Sequence, residues 1–381
     1  MKIILATPIY PPEIGGPATY TKELALRLRG DHEIVIVAYA TTSERVEGTT
    51  LITASKRRPL PLRLLKYMIL LFKAARDADV IYVQNAVASG FPAAVVGLLL
   101  RKPVVLKFVG DEAWERATQL RETRKQLEDF LAHPDGSLRI KLIMRLQGWV
   151  LRHVSAVTTP SAYLADAIIR TYRIDPKRVA VNYNAAEKTE EVPFDAIPVR
   201  HQIAVTARLV EWKGIDGVIR ATVQLAEKFS DVRCVIAGDG PEEERLKMLA
   251  KEADDGSHII FLGRVSRAET WHLRKSSEIY VLNSTYEGLP HTALTSFAAG
   301  IPIVATDIPG TNEAVYDGVS GLLVAPGDDS ALARAIARLF DDAALREKLV
   351  AGGAKILSEK FSWKAHLRTL LEIFKQARAT R

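Results

Sequence analysis

Cysteine is nearly absent: Cys234 is the only one in 381 residues, which excludes an intramolecular disulfide framework. Its neighbours in Arg233-Cys234-Val235-Ile236-Ala237 make a buried strand position the expected setting. Long apolar runs are missing as well. No stretch reaches the roughly 18 apolar residues that span a bilayer. The opening Met1-Lys2-Ile3-Ile4-Leu5-Ala6-Thr7-Pro8 is too short for a signal-peptide core, so it reads as a first buried strand and implies no secretion. The eight histidines are scattered, without the close pairing of a metal-ligand set. The Asp-x-Asp element Asp77-Ala78-Asp79 precedes an apolar segment and falls at the wrong edge of a parallel sheet, so no metal cofactor is expected. Repeats and low-complexity segments are lacking. Basic residues are spread along the chain with no recognition module, which argues against nucleic acid as a partner.

What is present is an ordinary soluble composition, 48% hydrophobic and 25% charged, on a chain long enough for two substantial cores. The net charge of +7 suits anionic substrates or acidic lipid surfaces. The first half alternates strand-like segments (2–6, 34–38, 80–83, 104–108, 154–158, 179–183) with helical ones (19–29, 92–100, 162–172), the pattern of a parallel sheet with helices on both faces. Periodicity lapses over 190–200, a linker. A second series follows, with strands at 203–206, 233–237, 259–262, 279–282 and 303–305, and helices at 214–228, 241–251 and 267–275. The closing helices, 329–340 and 363–379, carry apolar residues on one side, and the last is expected to pack back across both domains. The reading is α/β with two Rossmann-like domains, 1–190 joined by helix 363–381, and 200–362.

Chemistry concentrates in strand-to-helix loops, the edge at which open parallel sheets bind ligands. The fullest is Tyr286-Glu287-Gly288-Leu289-Pro290-His291, followed by a short helix that closes at Gly300. His291 at the helix start reads on its own as a capping or packing residue. Arg208 and Lys213, five residues apart after the first strand of the second series, can both reach a diphosphate, one as a fork and one as a point charge; solvated surface charges fit the sequence equally. In Gly238-Asp239-Gly240-Pro241 the glycines serve either close approach to a ligand or a tight turn. Gly263-Arg264-Val265 ends a further strand on that edge, where backbone can meet a nucleotide base.

In the first half, Gly15-Gly16 precedes a helix and suits an anionic group, although it is not the three-glycine dinucleotide fingerprint. Asp111 and Glu112 follow the 104–108 strand, at the expected cleft, as a base or orienter for an acceptor hydroxyl, or else as caps or surface charges. Two stretches, 56–73 and 139–149, combine cations with apolar helices. They are either core helices with snorkelling cations or elements that lie on an anionic bilayer.

These motifs, in this order, resemble the retaining glycosyltransferases of family 4, which have the GT-B fold: two Rossmann-like domains facing across a cleft. The likeness covers nearly the whole chain, through Pro11 to Ala18, Pro160 to Leu164, Val181 to Asn184, Arg208 with Lys213, Gly238 to Pro241, Phe261 to Gly263, Glu287 to Thr306, Pro309 to Val315 and Asp317 to Val324. It implies a nucleotide-diphosphate sugar as donor and a hydroxyl of a glycan or lipid-linked glycan as acceptor. The implied setting is cytoplasmic, peripheral on the membrane face. It makes Arg208 and Lys213 the diphosphate grip, helped by the amides after Glu287 at Gly288 and Leu289, and makes Glu287 the contact to the sugar hydroxyls. Gly15 and Gly16 are expected to let the first domain close over the donor, and Arg264, Val265, His291 and Thr295 join the donor-binding set.

Two positions depart from the family pattern. Thr295 stands where a second Glu would take the ribose hydroxyls, and Val109 stands where a histidine is common, with Asp111 its nearest polar substitute. They make a catalytically silent relative that binds a sugar nucleotide or a glycan one alternative, and a non-hydrolysing sugar-nucleotide epimerase on the same architecture is another.

Overall fold

The structure is a computed structural model that describes all residues except 14, 42–43, 58, 187–196, 255–256 and 381. Ile14 of the first glycine loop, Arg58 of the first basic stretch and most of the expected linker lie outside the described residues. Two compact units emerge: residues 1–182 with 368–381, and residues 183–367.

The first unit runs β1 (Lys2–Thr7), α1 (Gly16–Leu28), β2 (Glu33–Tyr39), β3 (Thr50–Ala54), α2 (Leu60–Ala75), β4 (Val80–Gln84), α3 (Gly90–Leu100), β5 (Val104–Lys107), α4 (Glu112–Gln119), α5 (Leu127–Ala132), α6 (Leu138–His153), β6 (Ala156–Thr159), α7 (Ala162–Tyr172) and β7 (Val179–Val181). Its strands form one parallel sheet in the order β3-β2-β1-β4-β5-β6-β7. Strands buried on both faces must be apolar throughout, and β2 shows this, with Ile34 to Tyr39 all buried. One sheet face buries Ile4, Val37, Ile81, Val83 and Leu106 with Tyr67 and Leu71 of α2 and Val150 of α6. On this unit's Tyr82, at 5.3 Å, sits Phe374 of the closing helix.

The second unit runs β8 (Val199–Thr206), α8 (Ile215–Ala226), β9 (Arg233–Ala237), α9 (Glu243–Asp254), β10 (Ile259–Gly263), α10 (Arg267–Lys275), β11 (Ser277–Leu282), α11 (His291–Ala299), β12 (Ile303–Thr306), β13 (Leu322–Val324), α12 (Asp329–Asp341), α13 (Ala343–Lys360) and α14 (Trp363–Ala379). Its parallel sheet has the order β10-β9-β8-β11-β12-β13. Cys234 is fully buried in β9, as expected. Helix α14 is divided at Leu367, its later residues belonging to the first unit.

In each sheet the chain first winds one way and then crosses to wind the other, between β1 and β4 in one unit and between β8 and β11 in the other. Loops leaving such a pair of strands diverge and open a crevice at their carboxyl ends. Arg208 and Lys213 follow β8 and Glu287 follows β11, so the second crevice collects the residues that the sequence singled out.

The elements that were not anticipated are the short or polar β3, β13, α4 and α5, and α13, whose 18 residues lack a clear one-sided apolar pattern. Leu322–Val324 offers three residues, too few for a periodicity. Val199 and Arg200, expected in the linker, begin β8.

Candidate donor site

The loop after β8 ends in a 3-10 turn, Glu211–Lys213, which lifts Lys213 toward the loop after β11. Hydrogen bonds to backbone carbonyls lace these loops together: Thr285 N–H donates to Trp212 O at 2.8 Å, and the side-chain Nδ2 of Asn283 donates to Gly214 O at 2.8 Å. Lys213 Nζ thereby meets Glu287 Oε1 at 2.6 Å, and Ser284 Oγ donates to the same oxygen at 2.7 Å. Glu287 is only 8% exposed, so its charge needs such partners to be tolerated. Its Oε2 accepts nothing from the described residues. One carboxylate oxygen positions the side chain and the other remains for a ligand. Thr306 Oγ1 donates to Ser284 O, which fixes the residue that fixes Glu287.

Backbone packing decides the glycines here. A Cβ on Gly238 would lie 1.8 Å from Ala207 O, so this glycine, at φ +140°, lets the loops after β8 and β9 touch each other. Leu209 N–H donates to Asp239 O at 2.8 Å across the same contact. Gly310, at φ +85°, passes so near the loop after β11 that a Cβ would lie 2.2 Å from Glu287 O. The tight-turn reading of Gly238 is the one that geometry carries, and Gly310 acts as a backbone support behind Glu287.

Helix α11 starts at His291 with Pro290 as its N-cap residue, and no side chain caps it. Its positive end lies directly after Gly288 and Leu289, a setting that favours an anion. Leu289 is buried and packs in the unit's core, whereas His291 is exposed. Arg208 is exposed on the same edge, and Arg264 and Val265 leave the end of β10, beyond β9. Thr295 Oγ1 donates to the carbonyls of His291 and Thr292 at 3.1 and 3.0 Å, so its hydroxyl is engaged with its own helix.

The first unit corrects one expectation. Asp111 is 1% exposed and caps α4, accepting from Trp114 N at 2.9 Å, from Gln147 Nε2 at 2.6 Å and from Tyr172 O–H. Both oxygens are consumed by the fold, which leaves a structural cap in place of a base open to an acceptor. Burial raises its pKa above the ordinary carboxylate range against those hydrogen bonds. Its neighbour Glu112 lines a hollow of about 280 Å³ with Glu115, Arg116 and Gln119. Its Oε1 accepts from Val87 N at 3.1 Å, and burial pushes its pKa up to about 7. Gly15 precedes α1 in extended backbone at φ 164°, with its carbonyl taken by Thr19 N–H, and beside Gly16 there is open space. Asp79 accepts from Lys2 N at 2.8 Å before β4, the sheet edge remote from the crevice.

Sequence reasoning missed Ser284 and Thr306. The signal for Ser284 was a hydroxyl two positions after an apolar strand and three before an acidic loop residue. Among the described residues, no group of three His, Cys, Asp or Glu side chains is placed to hold a metal ion, and no helix is long and apolar enough to cross a membrane.

Comparison with known proteins adds the family. Residues 193–356 match the family model described as glycosyl transferases group 1, and residues 15–185 match the glycosyl transferase 4-like domain. A lipopolysaccharide core biosynthesis glycosyltransferase, LpsD of Rhizobium meliloti, is 34% identical over 191 residues, 50% of this chain and 53% of that protein. The chain thus spans about half of that relative's length. An uncharacterized glycosyltransferase of Methanocaldococcus jannaschii is 26% identical over 99% of this chain and 98% of its own. Among solved structures, HepE of Anabaena in complex with UDP superposes with a TM-score of 0.76 at 19% identity, covering 99% of this chain and 100% of its own. Sucrose-phosphate synthase of Thermosynechococcus elongatus gives 0.77 at 18% identity, with both chains fully covered. At such identities these two likenesses speak to the fold.

Proposed function

Since this chain belongs to the glycosyltransferases of the family 4 type, matched by family models over both halves, we propose that it transfers a sugar from a nucleotide diphosphate to a hydroxyl acceptor with retention of anomeric configuration. The observation that carries this reading is Glu287, held through Oε1 by Lys213 and Ser284 with Oε2 left for a sugar hydroxyl. Lys213 keeps further N–H donors beyond the one given to Glu287. With Arg208 and the start of α11, it forms a cationic lining for the diphosphate. That lining stabilises the charge which develops on the leaving group, and it supports a reaction without a metal. UDP is the first nucleotide to test, because HepE was solved with UDP and with UDP-glucose.

In the proposed step the acceptor oxygen bonds to the anomeric carbon on the face from which the diphosphate leaves. The departing diphosphate keeps the electron pair of the broken carbon–oxygen bond, and the acceptor proton passes to its leaving oxygen. Proton NMR of the product reports the anomer directly. A product of inverted configuration contradicts retention, and donor binding without any transfer contradicts the enzyme reading.

The acceptor is proposed to be a glycan on a lipid, met at an anionic membrane surface. Relatives named for lipopolysaccharide core and for phosphatidyl-myo-inositol mannosylation support this. Helix α2 supports it too, because Leu60, Leu62, Leu65 and Ile69 are 44% to 65% exposed beside the exposed cations Lys66 and Lys73. Helix α6 adds Leu138 and Leu142. Exposed leucines next to cations suit the boundary of an anionic bilayer. Flotation with anionic vesicles that is lost in Leu62→Glu, Leu65→Glu supports the membrane site; equal flotation of the double variant contradicts it.

A further inference from the structure

The carboxyl end of β8, from which the loop with Arg208 leaves, rests on a buried cation. Helix α10 turns Arg274 inward, only 6% exposed, over the ring of Tyr280, with its guanidinium carbon 5.1 Å from the ring centroid. Nη2 donates to Oγ1 of Thr206, the last residue of β8, and Nη1 donates to Thr270 O at 3.3 Å. Nε is buried without a hydrogen-bond partner among the described residues, and no carboxylate among them pairs with the guanidinium.

The divergence of the strands decides this place. Pairing of β8 with β11 reaches Ala204 and Tyr280, whereas pairing of β8 with β9 continues to Thr206 and Ala237. At Thr206 a side chain takes over from the missing ladder: the Tyr280 hydroxyl accepts from Thr206 N at 3.3 Å and from Thr206 Oγ1 at 2.9 Å, and donates to Thr206 O at 3.1 Å. Arg274 thus holds, through Thr206 and Tyr280, the strand end at which the crevice opens, and Arg208 follows two residues on, roughly 7 Å along the chain. A buried cation without a counter-charge is costly, and a ring face and a carbonyl offset only part of that cost. The same burial lets its field carry: at an effective dielectric constant of about 20, a unit charge about 10 Å away shifts a binding equilibrium by roughly tenfold.

We propose that Arg274 supplies the donor crevice with a buried positive charge, which favours a diphosphate-bearing ligand over the uncharged nucleoside and steadies the strand end from which Arg208 reaches out. Arg274 is a positioning residue: it acts through Thr206 and through its field, without touching the donor. Its role rests on the reading of this crevice as the donor site, and it adds to that site a residue of α10, outside the strand-to-helix loops.

Calorimetric titration of the full chain with UDP and with uridine, for the parent, Arg274→Met and Arg274→Lys, tests it, together with urea unfolding of each chain without ligand. Met fills the space without charge, and Lys keeps the charge without the fork. Arg274→Met is expected to be at least as stable as the parent without ligand, because an uncompensated buried charge has gone, and yet to lose roughly tenfold of the preference for UDP over uridine. Arg274→Lys is expected to keep most of that preference. An Arg274→Met chain that fails to fold, or is clearly less stable than the parent, makes Arg274 a structural residue and overturns the proposal. An Arg274→Lys chain that discriminates no better than Arg274→Met overturns it as well, since charge is then not what acts. Absence of any preference for UDP over uridine in the parent overturns the donor reading and this role together, whereas a preference in the parent that survives intact in Arg274→Met overturns the role alone.

Discussion

The two crevices share a topology and differ in how they keep ionisable groups. In the second unit, Lys213 and Glu287 lie 2.6 Å apart and reach each other from loops laced backbone to backbone. In the first, Asp111 and Glu112 are buried against neutral hydrogen-bonding groups, Gln147, Tyr172 and backbone amides, and burial raises both pKa values. Lys107, buried at the end of β5, is pushed the other way, down to about 7. Both shifts have the sign of desolvation, which disfavours the charged form of acid and base alike. One crevice keeps its opposite charges paired, as the proposed anionic donor requires, and the other holds Glu112 and Lys107 near the boundary between charged and neutral at physiological pH.

That contrast is broken most severely at Gly310. Gly310→Ala brings a Cβ to within 2.2 Å of Glu287 O at a positive φ, so the loop must move. A loss of roughly 2 to 4 kcal/mol of stability is expected, by thermal or urea unfolding, together with weaker donor binding. Retained stability and donor affinity would show that Glu287 needs no support from behind.

Glu112 sharpens the other side of the comparison. Its folded pKa of about 7 lies above the ordinary 4.5, so the stability linked to its proton is complete below about 4.5 and is lost as pH rises through 7. In Glu112→Gln, which keeps an acceptor for Val87 N–H, that loss disappears. The variant should exceed the parent by up to about 3 kcal/mol near pH 8 and by little near pH 4. Parallel stability profiles between those pH values would contradict the assignment.

A smaller effect is expected at Thr295, whose hydroxyl is turned to its own helix. Thr295→Glu supplies a carboxylate where the family pattern has one, and a charged hydrogen bond to a ribose should tighten UDP binding by roughly tenfold. No gain would mean that this loop binds the nucleotide without the second carboxylate.

How much of this was legible in the sequence depends on where the determining partners lie. Glu287, Arg208 and Lys213 were readable because each follows an apolar strand directly, and strand order then brings them together. The strand–helix alternation similarly disclosed both sheets, including the bounds of α7, β9, α10 and α14. Asp111 was not readable. Its role is set by Gln147 and Tyr172, 36 and 61 residues away, and no local pattern distinguishes a buried cap from an open base. The same holds for Glu112, whose burial depends on a hollow that also involves α6 through Ile143. In the second unit the glycines were visible but their partners were not, because Gly238 and Gly310 answer to carbonyls of distant loops.

The most direct test of the donor crevice is the difference in affinity between UDP and uridine, measured by titration calorimetry for the parent and for Arg208→Ala. A cationic grip on the diphosphate predicts that UDP binds far more tightly than uridine, and that Arg208→Ala removes at least tenfold of that preference while uridine binding is unchanged. Equal UDP affinity in parent and variant would contradict the account.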